Sequence, residues 1–177
     1  MSSIHQVCER MLAEGFEYGS MVRTLTISEY DSTPESMGRP WLKPRAPTLW
    51  CSRIISYEGS EPTLDWHSFV VGEEFMVDTY SKSHLLFVKV DKSRITFESD
   101  PCFSKDGLWR KETENFPLIH WSRVASQYAG ITVNPGAKGC RDLFSLWDVD
   151  SLAIWDYKCV TEMRAFENAG RAWKYVV

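Results

Sequence analysis

Residues 120–135, HWSRVASQYAGITVNP, change hydrophobic period midway. Trp121, Val124, Ala125 and Tyr128 recur at the i, i+3, i+4, i+7 spacing of a helix face, and Gly130 is placed to stop that helix. GITVNP then reads as a strand closed by Pro135. A polar gap follows, NPGAKG being a loop, and residues 146–157, LWDVDSLAIWDY, read as another strand over DSLAIWDY with a continuation toward Met163. The two segments look like adjacent strands. Their density in Trp, Tyr and Asp exceeds what solubility or a minimal core requires, which makes this region the candidate site.

Working outward, residues 3–15 place Ile4, Val7, Met11 and Leu12 at helical spacing, with Ser2 or Ser3 as cap and Gly15 as terminator, so an N-terminal helix spans residues 1–15. Residues 19–30 suggest a first strand carrying Val22, Leu25 and Ile27. The stretch 31–47 collects four prolines and a glycine into a long loop, functional or mobile by its length. TLWCSRII reads as a second strand, and TLDWHSFVVGEEF as a helix capped near Thr63 or Asp65 with Trp66, Phe69, Val70 and Phe75 on one side. HLLFVKVD and RITFESD read as strands paired in a hairpin or lying as neighbours. Residues 100–117 are irregular, and the C-terminus is open between helix and strand. Strands interspersed with a few short helices, without regular alternation, predict an α+β fold with mixed or antiparallel sheets.

A chain of 177 residues with 44% hydrophobic and 25% charged residues fits one globular domain. The net charge of −4 speaks against nucleic acid as a partner. Arg39, Lys43, Arg45 and Arg53 nevertheless form a mild basic cluster, a solvated loop or a local patch. Cys8, Cys51, Cys102, Cys140 and Cys159 show no CxxC spacing, which points to reduced thiols in a cytoplasmic protein. The N-terminus lacks the apolar core of a secretory signal, and no run is long enough to span a membrane. His5, His67, His84 and His120 are scattered, so no metal site is expected.

Three blocks, LKPRAPTLWCS, HWSRVASQYAGITVNP and LWDVDSLAIW, resemble in order those of a poorly characterised family of small microbial and phage proteins. Those proteins carry Leu-Trp-x-Ser, Trp-x-x-Val-Ala-x-x-Tyr-x-Gly-Ile and Trp-Asp-x-x-Ser-x-x-Ile-Trp. The blocks span roughly residues 42–156. That family's arrangement is in turn similar to the ADP-ribosyltransferase fold, in which early strands supply a basic residue and a hydroxyl and a late strand a Glu. The resemblance implies NAD as cofactor, Arg23 as the early basic residue, Ser52 as the hydroxyl and Trp50 beside the nicotinamide. One departure stands out: Gly130-Ile131-Thr132-Val133 replaces Gly-Ile-Glu-Ile, so the late-strand carboxylate is absent, and the protein is inactive or uses another acid.

Cleaving the nicotinamide–ribose bond builds positive charge on the sugar, which calls for a nearby anion and a stacking surface. Asp148 and Asp150 are the carboxylates placed to supply the anion. As strand residues two apart they would share a face; in the bland reading they and Ser151 form a turn. Arg23, Ser52 and Asp148 are thus the expected catalytic set, with Trp50, Tyr128, Trp147, Asp150 and Ser151 around the cofactor. Arg23 could instead serve an ion pair, Ser52 be an ordinary strand serine, His120 act as a base or a structural residue, and Cys51 be a buried thiol. The expected function is an ADP-ribosyltransferase-like protein that binds NAD or a related nucleotide and acts on a macromolecular or small acceptor. The alternative is a non-enzymatic phage or effector-type binding protein that presents the same aromatic and acidic surface to a protein partner.

Overall fold

A computed structural model describes residues 2–44, 46–72, 84–104, 109–111, 117–135, 141–144, 147–170 and 172–177. Helix α1 (Ile4–Ala13) leads to strands β1 (Tyr18–Val22), β2 (Leu49–Ile55) and β3 (Thr63–Leu64), then α2 (Asp65–Gly72). Next come β4 (His84–Val90), β5 (Ile95–Phe97), β6 (Arg110–Lys111), β7 (Leu118–Ile119), α3 (Trp121–Ala125) and β8 (Gly130–Val133). The chain closes with α4 (Arg141–Phe144), β9 (Ser151–Ile154), β10 (Val160–Asn168) and β11 (Trp173–Tyr175). The architecture is α+β, with antiparallel and mixed sheet pairing and a few short helices. Two compact units divide it, one of residues 1–26, 51–90 and 160–177, the other of residues 27–50 and 91–159.

The first unit is an antiparallel sheet faced by a helix. Strand β4 takes β1 on one edge and β10 on the other, β11 extends β10, and β2 pairs with both β1 and β3. Ser3 and Gln6 form a reciprocal capping box that starts α1. At its other end Gly15 adopts φ +84 and Phe16 N–H reaches back to the Met11 carbonyl at 2.9 Å, a closure for which glycine is the least strained residue. Ile4, Val7, Cys8 and Met11 bury one face of α1 against Phe16, Ile54, Leu64, Leu85, Phe87 and Phe166. Leu12, expected on that face, is exposed instead. Gly19 is required by packing: a Cβ there would lie 2.6 Å from the Phe87 ring. Charges rim this unit, with Glu162 bridging Lys89 and Arg164, Glu14 bridging Arg10 and Arg164, and both Lys89 and Arg164 lying over the Phe16 ring.

The second unit has less regular structure and more aromatic core. Here β8 pairs antiparallel with β9 and parallel with β5, and β6 pairs with β7. The adjacency of the 130–133 and 151–154 strands expected from the sequence is present. Met37, Phe103, Ile119, Trp121, Val124, Ile131, Phe144, Trp147 and Trp155 belong to one buried cluster. Gly130 permits close strand approach, since a Cβ would come 2.6 Å from the Ala153 carbonyl oxygen.

Several expectations need correction. The first strand ends at Val22, because the Thr24 hydroxyl accepts the Thr26 N–H and a 3-10 turn over Ile27–Tyr30 takes the chain out of extended geometry. No hairpin joins the 84–90 and 95–97 strands: both edges of β4 are filled by β1 and β10, and Asp91 caps a 3-10 turn before β5. The helix at 121 stops at Ala125, so Gly130 opens β8 rather than ending a helix. Thr63 and Leu64 pair as β3 ahead of α2, while Glu73, Glu74 and Phe75 and the side chain of Val70 lie outside the described residues. Strand β9 does not continue to Met163, because Asp156 accepts the Lys158 N–H and a 3-10 turn precedes β10. The ambiguous C-terminus is strand. Among the described residues no helix is long and apolar enough to cross a membrane.

Candidate functional site

The proline-rich stretch 31–47 belongs to the second unit and is anchored at several points. Ser32 donates its N–H to the Trp155 carbonyl at 2.7 Å and its hydroxyl to the Pro47 carbonyl at 2.6 Å. Met37 is buried within a 3-10 turn. Trp41 exchanges two main-chain hydrogen bonds of 3.0 Å with Ile119, and its carbonyl also accepts the Trp121 indole N–H at 3.1 Å. Backbone groups paired in this way make the described part of the stretch a rim beside β7 and α3.

On that rim Trp50, near the start of β2, remains 37% exposed. Its ring rests 4.7 Å from that of Trp147, tilted by 56°. The Lys43 ammonium sits 5.9 Å from the centre of the Trp50 ring, and the Arg39 guanidinium 5.7 Å from that of Trp41. Trp147 is only 3% exposed, and its indole N–H is buried with no hydrogen-bond acceptor among the described residues. A buried donor left unpaired costs about 1–3 kcal/mol, so the close ring packing has to carry that cost.

Residues 147–151 alternate in burial. Trp147, Val149 and Ser151 are buried, whereas Asp148 is exposed and Asp150 half-buried. The strand begins only at Ser151, and both carboxylates precede it, Asp150 within a bend. The Ser151 hydroxyl donates to the Val149 carbonyl at 2.7 Å. Tyr128 lies beyond the end of α3, with its ring 5.9 Å from Trp109 and its hydroxyl donating to Asp100 at 3.3 Å. Asp100 also accepts from the Thr96 hydroxyl and the Cys102 N–H, both at 2.9 Å. Burial by itself would raise the Asp100 carboxyl, but those hydrogen bonds outweigh it and hold the group below the usual carboxylate range. Burial and the Asp100 charge together raise Tyr128. Rings in sequence, Trp50, Trp147, Phe144, Phe103, Trp109 and Tyr128, run from the exposed tryptophan to this polar cluster at separations of 4.7–6.4 Å.

The remaining expected residues fall elsewhere. Arg23 and Ser52 belong to the first unit. Arg23 lies one residue past the end of β1, exposed in a bend rather than on the strand. Ser52 is buried opposite Gly19, and its hydroxyl has no hydrogen-bond partner among the described residues. Two residues on in the same strand, Ile54 packs into the α1 core, so the period of two turns the Ser52 side chain toward that core face. The Thr132 hydroxyl sits 3.4 Å from the Thr96 carbonyl. His120 precedes α3 without capping it, and burial with the Arg123 and Lys111 charges keeps its imidazole below the ordinary range. Cys51 is buried in β2.

Lys43 and Asp100 are functional candidates that sequence reasoning did not assign. Lys43 was visible as one of a basic cluster, but its pairing with Trp50 spans a loop. Asp100 falls in a stretch that reads only as irregular, and its capping of the Pro101–Phe103 turn emerges from the structure. Among the described residues no group of three His, Cys, Asp or Glu could hold a metal ion. Comparison with family models, curated protein sequences and solved structures gives no match.

Proposed function

We propose that this chain is a nucleotide-binding protein that stacks the planar ring of its ligand on Trp50, with NAD the ligand implied by the resemblance to ADP-ribosyltransferases. The observation that carries the reading is the exposed Trp50 ring, backed by the buried Trp147 and flanked by the Lys43 cation. A rigid aromatic surface beside a positive charge matches a base or nicotinamide joined to phosphate. These residues fit the binding of a dinucleotide. Its nicotinamide–ribose bond would supply the reactive link, and Asp148, exposed beside Trp147, is the acid at hand to support charge separation. Ser52 on its core face and Thr132 in place of Glu favour binding over turnover.

Exposure of both Trp50 and Asp148 supports a second reading, a surface that holds a protein partner through a tryptophan ringed by charge. Calorimetric titration with NAD tests the first reading. Binding weakened about tenfold by Trp50→Ala is the expected result, given roughly 1–3 kcal/mol for stacking on one aromatic ring. Nicotinamide release that Asp148→Asn abolishes would extend the reading to a transferase. Absence of NAD binding would retire it in favour of the protein partner.

A further inference from the structure

We propose that the rim formed by Arg39, Trp41, Lys43 and Trp50 docks a single-stranded nucleic acid, with a base stacked on Trp50 and phosphates held by Lys43 and Arg39. The inference rests on the stacking role given to Trp50 and names a larger ligand for the same surface.

Charge is segregated along this chain. No Asp or Glu occurs between Glu35 and Glu58, a stretch that carries Arg39, Lys43, Arg45 and Arg53. The net charge of −4 is a sum over the whole protein and hides this acid-free segment. Phosphate binding responds to the local charges that displace counterions, so the segment can attract a polyanion that the rest of the chain would not.

Structure adds the pairing of each cation with a ring. Arg39 lies over Trp41 and Lys43 over Trp50, and neither cation makes an ion pair among the described residues. Exposed cation–π contacts are worth only about 0.5–1 kcal/mol, so a phosphate oxygen can draw either cation off its ring at small cost, and Trp50 is 37% exposed beside it. The two pairs recur along one stretch, as phosphate and base recur along a strand. Main-chain bonds at Ser32 and Trp41 fix that stretch in advance, which lowers the ordering cost of binding. A duplex keeps its base faces stacked and offers Trp50 nothing to cover, whereas an unpaired strand offers every base.

The test is fluorescence anisotropy of a labelled oligothymidylate about 12 nucleotides long, titrated with the full chain over a range of salt. Two phosphates neutralised on a single strand should give a slope of log affinity against log salt of about −1.4. Lys43→Gln and Arg39→Gln should each reduce that slope by about 0.7. Trp50→Ala should weaken binding about tenfold while leaving the slope unchanged. Thymidine monophosphate and the matching duplex should compete at least about tenfold more poorly than the unlabelled oligomer. No binding at low salt, slopes indifferent to both charge substitutions, or equal competition by the monophosphate would each overturn the proposal. If NAD binds and the oligomer does not, this inference falls and the nucleotide reading stands. If the oligomer binds and Trp50→Ala has no effect, the stacking role itself is wrong. The two charge substitutions lie on partly or fully exposed side chains, so they keep the test decisive should Trp50→Ala fail to fold.

Discussion

The two units reach stability by different routes. In the first, α1 covers an antiparallel sheet, backbone groups are paired by regular ladders, and the core is aliphatic side chains with Phe16, Phe87 and Phe166. In the second, long irregular segments replace ladders, and large indoles act both as core and as fasteners. Trp121 donates to the Trp41 carbonyl and Trp155 to the Tyr128 carbonyl, at 3.1 and 2.7 Å. The lesson is that irregular backbone is held where a buried indole N–H can reach its carbonyl, which a Leu or Phe of similar size could not do.

Breaking that contrast should have its largest effect at Trp121. Trp121→Ala removes a fully buried ring in edge contact with Trp155 and should cost about 3–5 kcal/mol in chemical denaturation. Trp121→Phe keeps most of the volume and loses the bond to Trp41, for about 1–3 kcal/mol. A similar cost for both would show that the hydrogen bond, rather than the packing, secures the 31–47 stretch.

The paired glycines give a like-for-like comparison at the next scale. Gly130→Ala drives a methyl against the Ala153 backbone, whereas Gly19→Ala meets the edge of the Phe87 ring. Overpacking costs about 1–3 kcal/mol, with Gly130 expected at the upper end because a strand carbonyl yields less readily than a side chain. Denaturation midpoints of the two variants would check the order, and its reversal would mean that the aromatic unit is the more compliant.

The smallest expected effect is the part of the pH dependence that His67 contributes in the first unit. His67 lies 6.5 Å from His5 ring to ring, and burial first, then the His5 charge, lowers its pKa below the usual 6.5. The unfolded chain therefore takes up this proton at a higher pH than the folded one. Stability from neutral His67 is present above about pH 6.5 and is lost as pH falls toward the lowered value. Thermal melts between pH 7.5 and 5 should show a decline that His67→Gln flattens in part, the depressed His120 of the second unit accounting for the remainder. An unchanged pH profile in the variant would place the titration elsewhere.

Legibility in the sequence followed regularity. Helix α1 could be read with its Ser3 cap and Gly15 terminator because period, cap and stop all lie within a few residues of one another. Strands β2, β8 and β9 were legible from β-branched and apolar runs. The 19–30 segment misled because Leu25 and Ile27 look like strand residues, while the Thr24 side chain supplies a competing local hydrogen bond. The 84–97 segment misled because a short separation suggests a hairpin, and nothing local reveals that both edges of β4 are filled by distant strands.

The candidate site divides the same way. Trp50, Trp147 and the Asp148–Ser151 segment could be singled out by composition. That Trp147 is buried while Asp148 is exposed depends on where β9 begins, and the approach of Lys43 to Trp50 follows no local period. By itself, then, the sequence determined the α+β class, the N-terminal helix, the adjacent β8 and β9 strands and the aromatic character of the second unit, all set by short-range periodicity and turn chemistry. Only the tertiary structure decided strand partners, the anchoring of the 31–47 stretch and the union of Lys43, Trp50 and Trp147. Those depend on pairing between residues far apart in the chain, where loop closure and complementary packing, rather than local preference, select the partner.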